Sequence, residues 1–248
     1  MDPHDELREI LGHMTRILKA DREIGLDPPF LSGTATEYLA KDPCGKPAES
    51  GGSGPPQTLE SLRAFIGECT RCRLHRGRNH LVFGEGNPNA RLVFVGEGPG
   101  REEDLVGRPF VGEAGKLLTR IIEGGMRLTR KDVYICNVVK CRPPGNRDPE
   151  KDEIAACRPF LEQQIRLIRP EVICILGRVA GRALLGGDFK ISKERGAWRS
   201  YLDIPVMPTY HPAYLLRNPS RERELKRLVW EDVKKIMKRL GLEVETHA

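Results

Sequence analysis

The chain has 248 residues, of which 39% are hydrophobic and 31% charged, a composition that excludes a fully disordered protein. It contains no apolar run of membrane-spanning length and no apolar signal-peptide core, so we expect a cytoplasmic protein without membrane contact. Residues 1–58 hold six Lys and Arg against ten Asp and Glu, whereas residues 59–248 hold 35 against 25. This basic second part indicates a polyanionic partner, with nucleic acid as the first candidate.

The N-terminal segment is predicted to lie outside the main domain. Residues 1–41 form an appendage, in which apolar residues at helical spacing predict an amphipathic helix over 3–24. We expect residues 1–24 to dock either on the protein's own domain or on a replication or repair protein. Residues 42–57 are a linker, because eight of these sixteen positions are Gly or Pro.

The compact domain is expected over residues 58–241, with Thr58 as the N-cap of its first helix and residues 242–248 as a tail. The predicted helices span 59–68, 113–123, 149–168, 178–185 and 220–240. The predicted strands span 91–96, 132–139, 171–176 and 204–209. Because strands separated by helices need crossover connections, this order predicts an α/β fold, a three-layer α/β/α sandwich with a central, mainly parallel four-stranded sheet.

Seven cysteines are many for a protein of a reducing compartment. Cys69 and Cys72 form a C-x-x-C pair, Cys141 follows a predicted strand, and Cys157 lies in a predicted helix. These four thiols could bind zinc, bind a 4Fe–4S cluster, or be four unrelated thiols. Their spacing alone does not distinguish these three alternatives. The remaining cysteines are predicted to bind nothing: Cys44 in the linker, and Cys136 and Cys174 in strand interiors.

A glycine-rich loop, Gly96-Glu97-Gly98-Pro99-Gly100, follows the first predicted strand. The dinucleotide-binding fingerprint would need Gly at position 101, which is Arg, and a P-loop would need Gly at position 110, which is Phe. Both nucleotide-binding interpretations therefore fail. A tight backbone loop that approaches a ligand closely remains.

Four motifs occur in order: GEGPGREED at 96–104, GRPFVG at 107–112, NVVKCRPPGNR at 137–147 and HPAY at 211–214. Together they resemble the family 4 uracil-DNA glycosylases, the iron–sulfur type of bacteria and archaea, over about residues 59–240. The resemblance implies an α/β/α fold and release of uracil from DNA, single- or double-stranded, by a monomer. It also implies a 4Fe–4S cluster on Cys69, Cys72, Cys141 and Cys157. The alternative is a non-catalytic iron–sulfur module that binds nucleic acid or assists a polymerase.

The resemblance also implies a uracil pocket. Its residues are Gly96, Glu97, Gly98, Phe110, Asn137 and His211. Phe110 offers a face for stacking, and an amide at Asn137 can accept from uracil N3–H while it donates to O4. The glycosidic bond breaks dissociatively, so a neutral His211 aimed at uracil O2 would stabilise the leaving anion. Backbone N–H groups of Glu97 and Gly98 would bind uracil oxygens.

Further residues are candidates for activating the attacking water and for contacting DNA. Gly98 stands where the best-known uracil glycosylases place a water-activating Asp, so this base is either absent or displaced to Glu103 or Asp104. We expect Glu103 to position the water or to act electrostatically. Residues 214–217 are expected to form a loop that enters the minor groove behind the flipped base. The candidate DNA contacts are Leu215, Leu216, Arg217, Arg142 and Arg195, with Arg147, Lys193 and Arg199 as further phosphate contacts.

Overall fold

The structure is a computed structural model that describes residues 55–243. The predicted appendage with its helix over 3–24, most of the linker and the last five residues of the tail lie outside the described residues. The strands are β1 (Glu85–Gly86), β2 (Leu92–Gly96), β3 (Tyr134–Asn137), β4 (Val172–Leu176), β5 (Arg199–Tyr201) and β6 (Ile204–Thr209). They form one sheet in the order β1-β3-β2-β4-β6-β5.

The described sheet has six strands, so the prediction of four was wrong. The four central strands, β3, β2, β4 and β6, are the predicted ones, and they pair in parallel. The two missed strands pair antiparallel at the edges, β1 with β3 and β5 with β6. They have two and three residues, too few for the alternation that reveals a strand in sequence.

The helices are α1 (Leu59–Ile66), α2 (Arg101–Val106), α3 (Glu113–Arg120), α4 (Lys151–Ile168), α5 (Gly177–Leu185), α6 (Ile191–Glu194), α7 (Pro212–Leu216) and α8 (Glu222–Arg239). The five predicted helices are all present. The missed ones, α2, α6 and α7, have four to six residues, less than two turns, so a 3.6-residue period cannot show. None of the described helices is both long and apolar enough to cross a membrane.

Thr58 caps α1 as predicted. Its side chain accepts a hydrogen bond from Ser61 N at 3.1 Å, and the Ser61 hydroxyl in turn accepts from Thr58 N at 3.0 Å. This reciprocal pair satisfies two backbone donors that the helix itself leaves unpaired.

Helices cover both faces of the sheet, which confirms the α/β sandwich. Successive residues of a strand point to opposite faces, so Val93 and Val95 join one hydrophobic cluster while Leu92 and Phe94 join the other. The first cluster includes residues of α1, α4 and α5, and the second includes residues of α3 and α8. Because β2, β3, β4 and β6 run in parallel, the loops after them meet at one edge of the sheet.

Candidate active site

A cleft of about 630 Å³ opens at the carboxyl edge of the parallel strands. Its lining comes from the segments that follow β2, β3, β4 and β6 and from the loop between α2 and α3. The residues that matter chemically are Glu97, Phe110, Asn137, Tyr210, His211 and Arg217. The structure thus brings together the distant motifs that sequence analysis singled out.

Asn137 is the last residue of β3 and is 1% exposed. Its Oδ1 atom is the one buried side-chain oxygen or nitrogen, among residues 55–243, without a hydrogen-bond partner. Gly96 lies opposite, and a Cβ there would collide with Asn137 Oδ1 and with the Phe110 ring. An unsatisfied buried acceptor costs about 1–3 kcal/mol, so this one is arranged to receive a donor from a ligand.

His211 lies two residues after the end of β6 and caps α7. Its Nδ1 atom accepts a hydrogen bond from Ala213 N at 3.1 Å, so a neutral ring carries its proton on Nε2. The pKa of His211 is lowered to about 4, chiefly by burial and also by the positive charge of Arg217, while the charge of Glu103 opposes both. At neutral pH the ring is therefore an uncharged donor through Nε2.

Phe110 lines the cleft beside His211, with the two ring centroids 5.6 Å apart. It holds a left-handed backbone conformation, φ 53°, which is rare for a bulky side chain. Arg130 holds this turn, because its guanidinium donates to Phe110 O at 3.1 Å and to Pro109 O at 2.8 Å. Arg130 also pairs with Glu85 of β1. Sequence analysis missed Arg130, since nothing marks it among the many arginines.

Glu103 does not fit the expected role of positioning water. One carboxylate oxygen accepts from Val111 N and Gly112 N, both at 2.9 Å, and the other accepts from Gly100 N at 3.1 Å. The side chain therefore joins the glycine loop to the Phe110 loop. Asp104 is similarly occupied, because it accepts from Asn79 N at 2.8 Å and from the Asn79 amide.

Glu97 is the carboxyl group that lines the cleft with no hydrogen bond among the described residues. Burial raises its pKa to about 7; Asp148 raises it too, while Arg178 and Arg217 lower it. Sequence analysis assigned Glu97 only a backbone role. Its position in the glycine loop was visible, but the burial that perturbs its side chain was not.

Two of the five candidate DNA contacts are contradicted. Leu215 is 1% exposed and packs in the hydrophobic core, because it faces inward from α7. Arg195 forms a buried ion pair with Asp232, so its charge is already compensated. Leu216 is 41% exposed, and Arg217 is exposed at the cleft.

The other basic candidates lie at the surface with local partners. Arg142 donates to Asn146 Oδ1 at 2.7 Å. Arg147 pairs with Glu153, and Arg199 with Glu194. Lys193 is exposed on α6.

The four cysteines lie in one region of the fold. Cys141 and Cys157 are buried in the hydrophobic cluster against which Cys69 and Cys72 pack. The Cys141 thiol is close enough to Cys69 and Cys72 for their charges to raise its pKa, although burial raises it more. Burial likewise raises the pKa of Cys157 to about 12. Within residues 55–243 no three His, Cys, Asp or Glu side chains are arranged to hold a single metal ion.

Nitrogen donors face the sulfurs of these cysteines. Arg78 Nη1 donates to Cys141 Sγ at 3.3 Å and to Cys69 O at 2.6 Å. The backbone N of Lys140 donates to Cys157 Sγ at 3.3 Å. The Arg78 side chain is only 7% exposed, and its carboxylate neighbour Glu68 is 99% exposed. A buried guanidinium directed at sulfur fits sulfurs that carry negative charge.

Comparison with known proteins identifies close relatives. Residues 83–234 match the profile of the uracil DNA glycosylase superfamily. A type-4 uracil-DNA glycosylase of Thermotoga maritima is 52% identical over 182 residues, which cover 72% of this chain and 93% of the relative. Type-4 uracil-DNA glycosylases of Sulfurisphaera tokodaii and Saccharolobus solfataricus are 48% and 46% identical, over 72% and 74% of this chain and 83% and 87% of their own.

Proposed function

The chain belongs to the type-4 uracil-DNA glycosylases, and we propose that Asn137, Phe110 and His211 perform the release of uracil in the cleft. The observation that carries this proposal is the unpartnered Asn137 Oδ1 beside an aromatic face and a neutral imidazole. The direct test incubates the protein with a uracil-containing oligonucleotide and then cleaves abasic sites with alkali. A strand break at the uracil position is expected, and an uncut strand would contradict the proposal.

Uracil is recognised by its edge and by its face. Asn137 Oδ1 accepts from uracil N3–H, the same amide donates to O4, and Phe110 covers the ring. Gly96, which has no side chain, allows Asn137 Oδ1 and the Phe110 ring to lie close to its backbone, and Glu97 and Gly98 line the same cleft. The flipped base gains these contacts in return for the few kcal/mol that unstacking costs.

Bond breaking leaves negative charge on uracil O2. His211 Nε2–H is directed to this charge, and its proton position is fixed by the Ala213 N–H that occupies Nδ1. A donor held in place before the reaction stabilises the developing anion without reorganisation. This pairing of His211 with Asn137 in one cleft favours the enzyme over a non-catalytic nucleic-acid-binding or polymerase-accessory module.

Glu97 positions the attacking water in this proposal, in place of Glu103. Its carboxyl group has a pKa of about 7, and only the ionised form accepts a proton from water. Uracil release should therefore rise as pH increases through about 7, because the raised pKa keeps Glu97 protonated below that value. Single-turnover rates between about pH 5 and pH 9 measure this.

The variant Glu97→Gln should lose this pH dependence and much of the rate. Glu102→Gln is the matched control, because Glu102 is exposed on the same segment. A wild-type profile that is flat across this range would contradict the role of Glu97. So would an unchanged rising profile in Glu97→Gln.

The four cysteines hold a 4Fe–4S cluster in this proposal. Four thiolates would place negative charge next to the N–H donors of Arg78 and Lys140, so the surroundings of the cysteines fit a 4Fe–4S cluster. The cluster would tie α4, which carries Cys157, to the segments that carry Cys69, Cys72 and Cys141. Its contribution is structural, because the cysteines are absent from the lining of the cleft.

Purified protein should be brown and contain about four iron atoms per chain when fully loaded. Iron and zinc analysis together with the visible absorption spectrum measures this. Stoichiometric zinc with no iron and no colour would contradict the cluster.

Cys157→Ala should lower the yield of folded protein more than it alters the cleft, because it removes one ligand. Cys174→Ala is the matched control, since Cys174 is also fully buried but lies in β4. It should keep the colour. A colourless Cys157→Ala protein with full stability and activity would contradict the structural role.

The N-terminal segment should be dispensable for chemistry. A chain that starts at Pro55 keeps the hydrogen bond from Gln163 Nε2 to Pro56 O, 3.1 Å, and the Thr58 cap. This chain lacks residues 1–54, whose net negative charge makes them poor ligands for DNA. We expect the truncated and full-length chains to release uracil at similar single-turnover rates. A large loss of rate in a folded truncated protein would assign the N-terminal segment to the site.

Leu216 and Arg217 are the remaining candidates for contact with DNA near the flipped base, because both are exposed on or just after α7. Arg142, which donates to the cleft residue Asn146, is a candidate phosphate contact. We further propose that the protein acts as a monomer on chromosomal DNA in the cytoplasm.

A further inference from the structure

Lys140 is among the most deeply buried residues of the domain, although it carries an amine. It is 1% exposed and follows β3 in the chain, between Asn137 and Cys141. A buried amine is costly unless its donors are bound. Neither the uracil pocket nor the cysteine ligands account for this side chain.

The Lys140 amine has two well-placed acceptors. Nζ donates to the backbone oxygen of Asn137 at 2.8 Å and to Gln164 Oε1 at 2.5 Å. Gln164, on α4, is itself fully buried, and its amide donates to Phe83 O at 2.9 Å and to Tyr134 OH at 3.2 Å. A buried polar network therefore links α4 to the end of β3.

We propose that Lys140 is a positioning residue that holds the backbone carbonyl of Asn137, and through it the amide that reads uracil. The inference rests on the proposed role of Asn137. Val138 N, just after β3, donates to Gly96 O of β2 at 2.9 Å, whereas the carbonyl of Asn137 accepts from the Lys140 side chain. The peptide between Asn137 and Val138 is thus held by that bond on one side and by Lys140 on the other.

This arrangement matters because Asn137 Oδ1 has no partner of its own before uracil enters. An amide that must form two hydrogen bonds with the base at once tolerates little displacement. Anchoring its backbone carbonyl restricts the rotation that would displace it. Lys140 also precedes Cys141, so the anchor joins the pocket to the segment that carries a proposed cluster ligand.

The test is Lys140→Met, which keeps the length and removes the donors. We expect single-turnover uracil release to fall by about 10²-fold, as for a small misplacement of a reacting group. Inhibition by free uracil should weaken, while affinity for DNA without uracil stays unchanged. Tyr134→Phe is the matched control, because it removes a hydrogen bond of the same network that does not reach Asn137.

Three results would overturn the inference. The first is wild-type release and wild-type inhibition by uracil in folded Lys140→Met, and the second is a loss of release that follows a loss of iron or of thermal stability. The third is an equal loss in Tyr134→Phe. If Lys140→Met does not fold, Gln164→Leu carries the test, since Nζ then lacks its second acceptor. A smaller loss in the same direction supports the inference, and unchanged release overturns it.

Asn137→Ala distinguishes a failure of the Lys140 inference from a failure of the proposed function. Full activity in Asn137→Ala would contradict the proposed function itself.

Discussion

Replacing His211 with Ala should lower single-turnover uracil release by about 10²–10³-fold, the typical cost of removing one preorganised donor to a developing oxyanion. The reason lies in the tautomer. Ala213 N–H occupies Nδ1, so the neutral ring of this cleft residue carries its proton on Nε2. Affinity for DNA should change little, because the donor is needed most when charge accumulates on uracil O2.

The Ala variant also removes the N-cap of α7, which costs about 1 kcal/mol of stability. His211→Asn separates the two losses, because Asn is a good N-cap but is too short to place a donor where Nε2 lies. We expect His211→Asn to retain the melting temperature and still lose most of the rate. Single-turnover kinetics and thermal melting of both variants measure this. If His211→Asn regains both the wild-type melting temperature and the wild-type rate of uracil release, His211 is a structural residue.

The central sheet could be predicted from sequence because its strands are buried on both faces. β2, β3 and β4 have no exposed position and are apolar except for Asn137 at the end of β3, which is the pattern of a covered parallel sheet. The edge strands could not be predicted, because β1 has two residues, Glu85 and Gly86, and β5 begins with exposed Arg199. Pairing between strands, rather than local preference, makes these segments strands: β1 pairs with β3, which is distant in the chain, and β5 forms a hairpin with β6.

The candidate site was partly predictable for a different reason. Asn137 lies near the end of one predicted strand and His211 just after another, so a parallel sheet brings both to its carboxyl edge. The hydrogen bonds of Glu103 do not match the expected role of positioning water, and we propose that role for Glu97, six residues earlier. What separates them is three backbone N–H groups bound to Glu103 and none to Glu97. Such contacts depend on how two loops fold together, which no local pattern encodes.

The DNA contacts show the same limit. Arg195 has the sequence context of a surface loop, but it pairs with Asp232, which lies on α8 and is fully buried. Leu215 and Leu216 are adjacent and chemically identical, and the direction of α7 alone decides that one packs in the core and the other is exposed.

Asn137→Asp should lose most uracil release and gain weak release of cytosine. Uracil offers N3–H and O4, whereas cytosine offers a bare N3 and a 4-amino group, so the wild-type amide meets cytosine with acceptor against acceptor and donor against donor. A two-point contact of this kind discriminates by about 1–3 kcal/mol, and an unpaired buried group adds to the rejection.

The burial of Asn137 Oδ1 makes the change of specificity feasible. A carboxyl group at this position would lie next to the Phe110 ring with almost no solvent contact, and such burial raises a carboxyl pKa, so part of the Asp would be protonated. The protonated form donates O–H to cytosine N3 and accepts from its amino group, while the ionised form repels uracil O4.

Alkaline cleavage of matched oligonucleotides with uracil or cytosine at one position measures both activities. Asn146→Asp adds the same charge at the exposed rim of the cleft and should slow uracil release slightly without creating cytosine release. An Asn137→Asp protein with wild-type uracil rates and no action on cytosine would mean that Asn137 does not read the base.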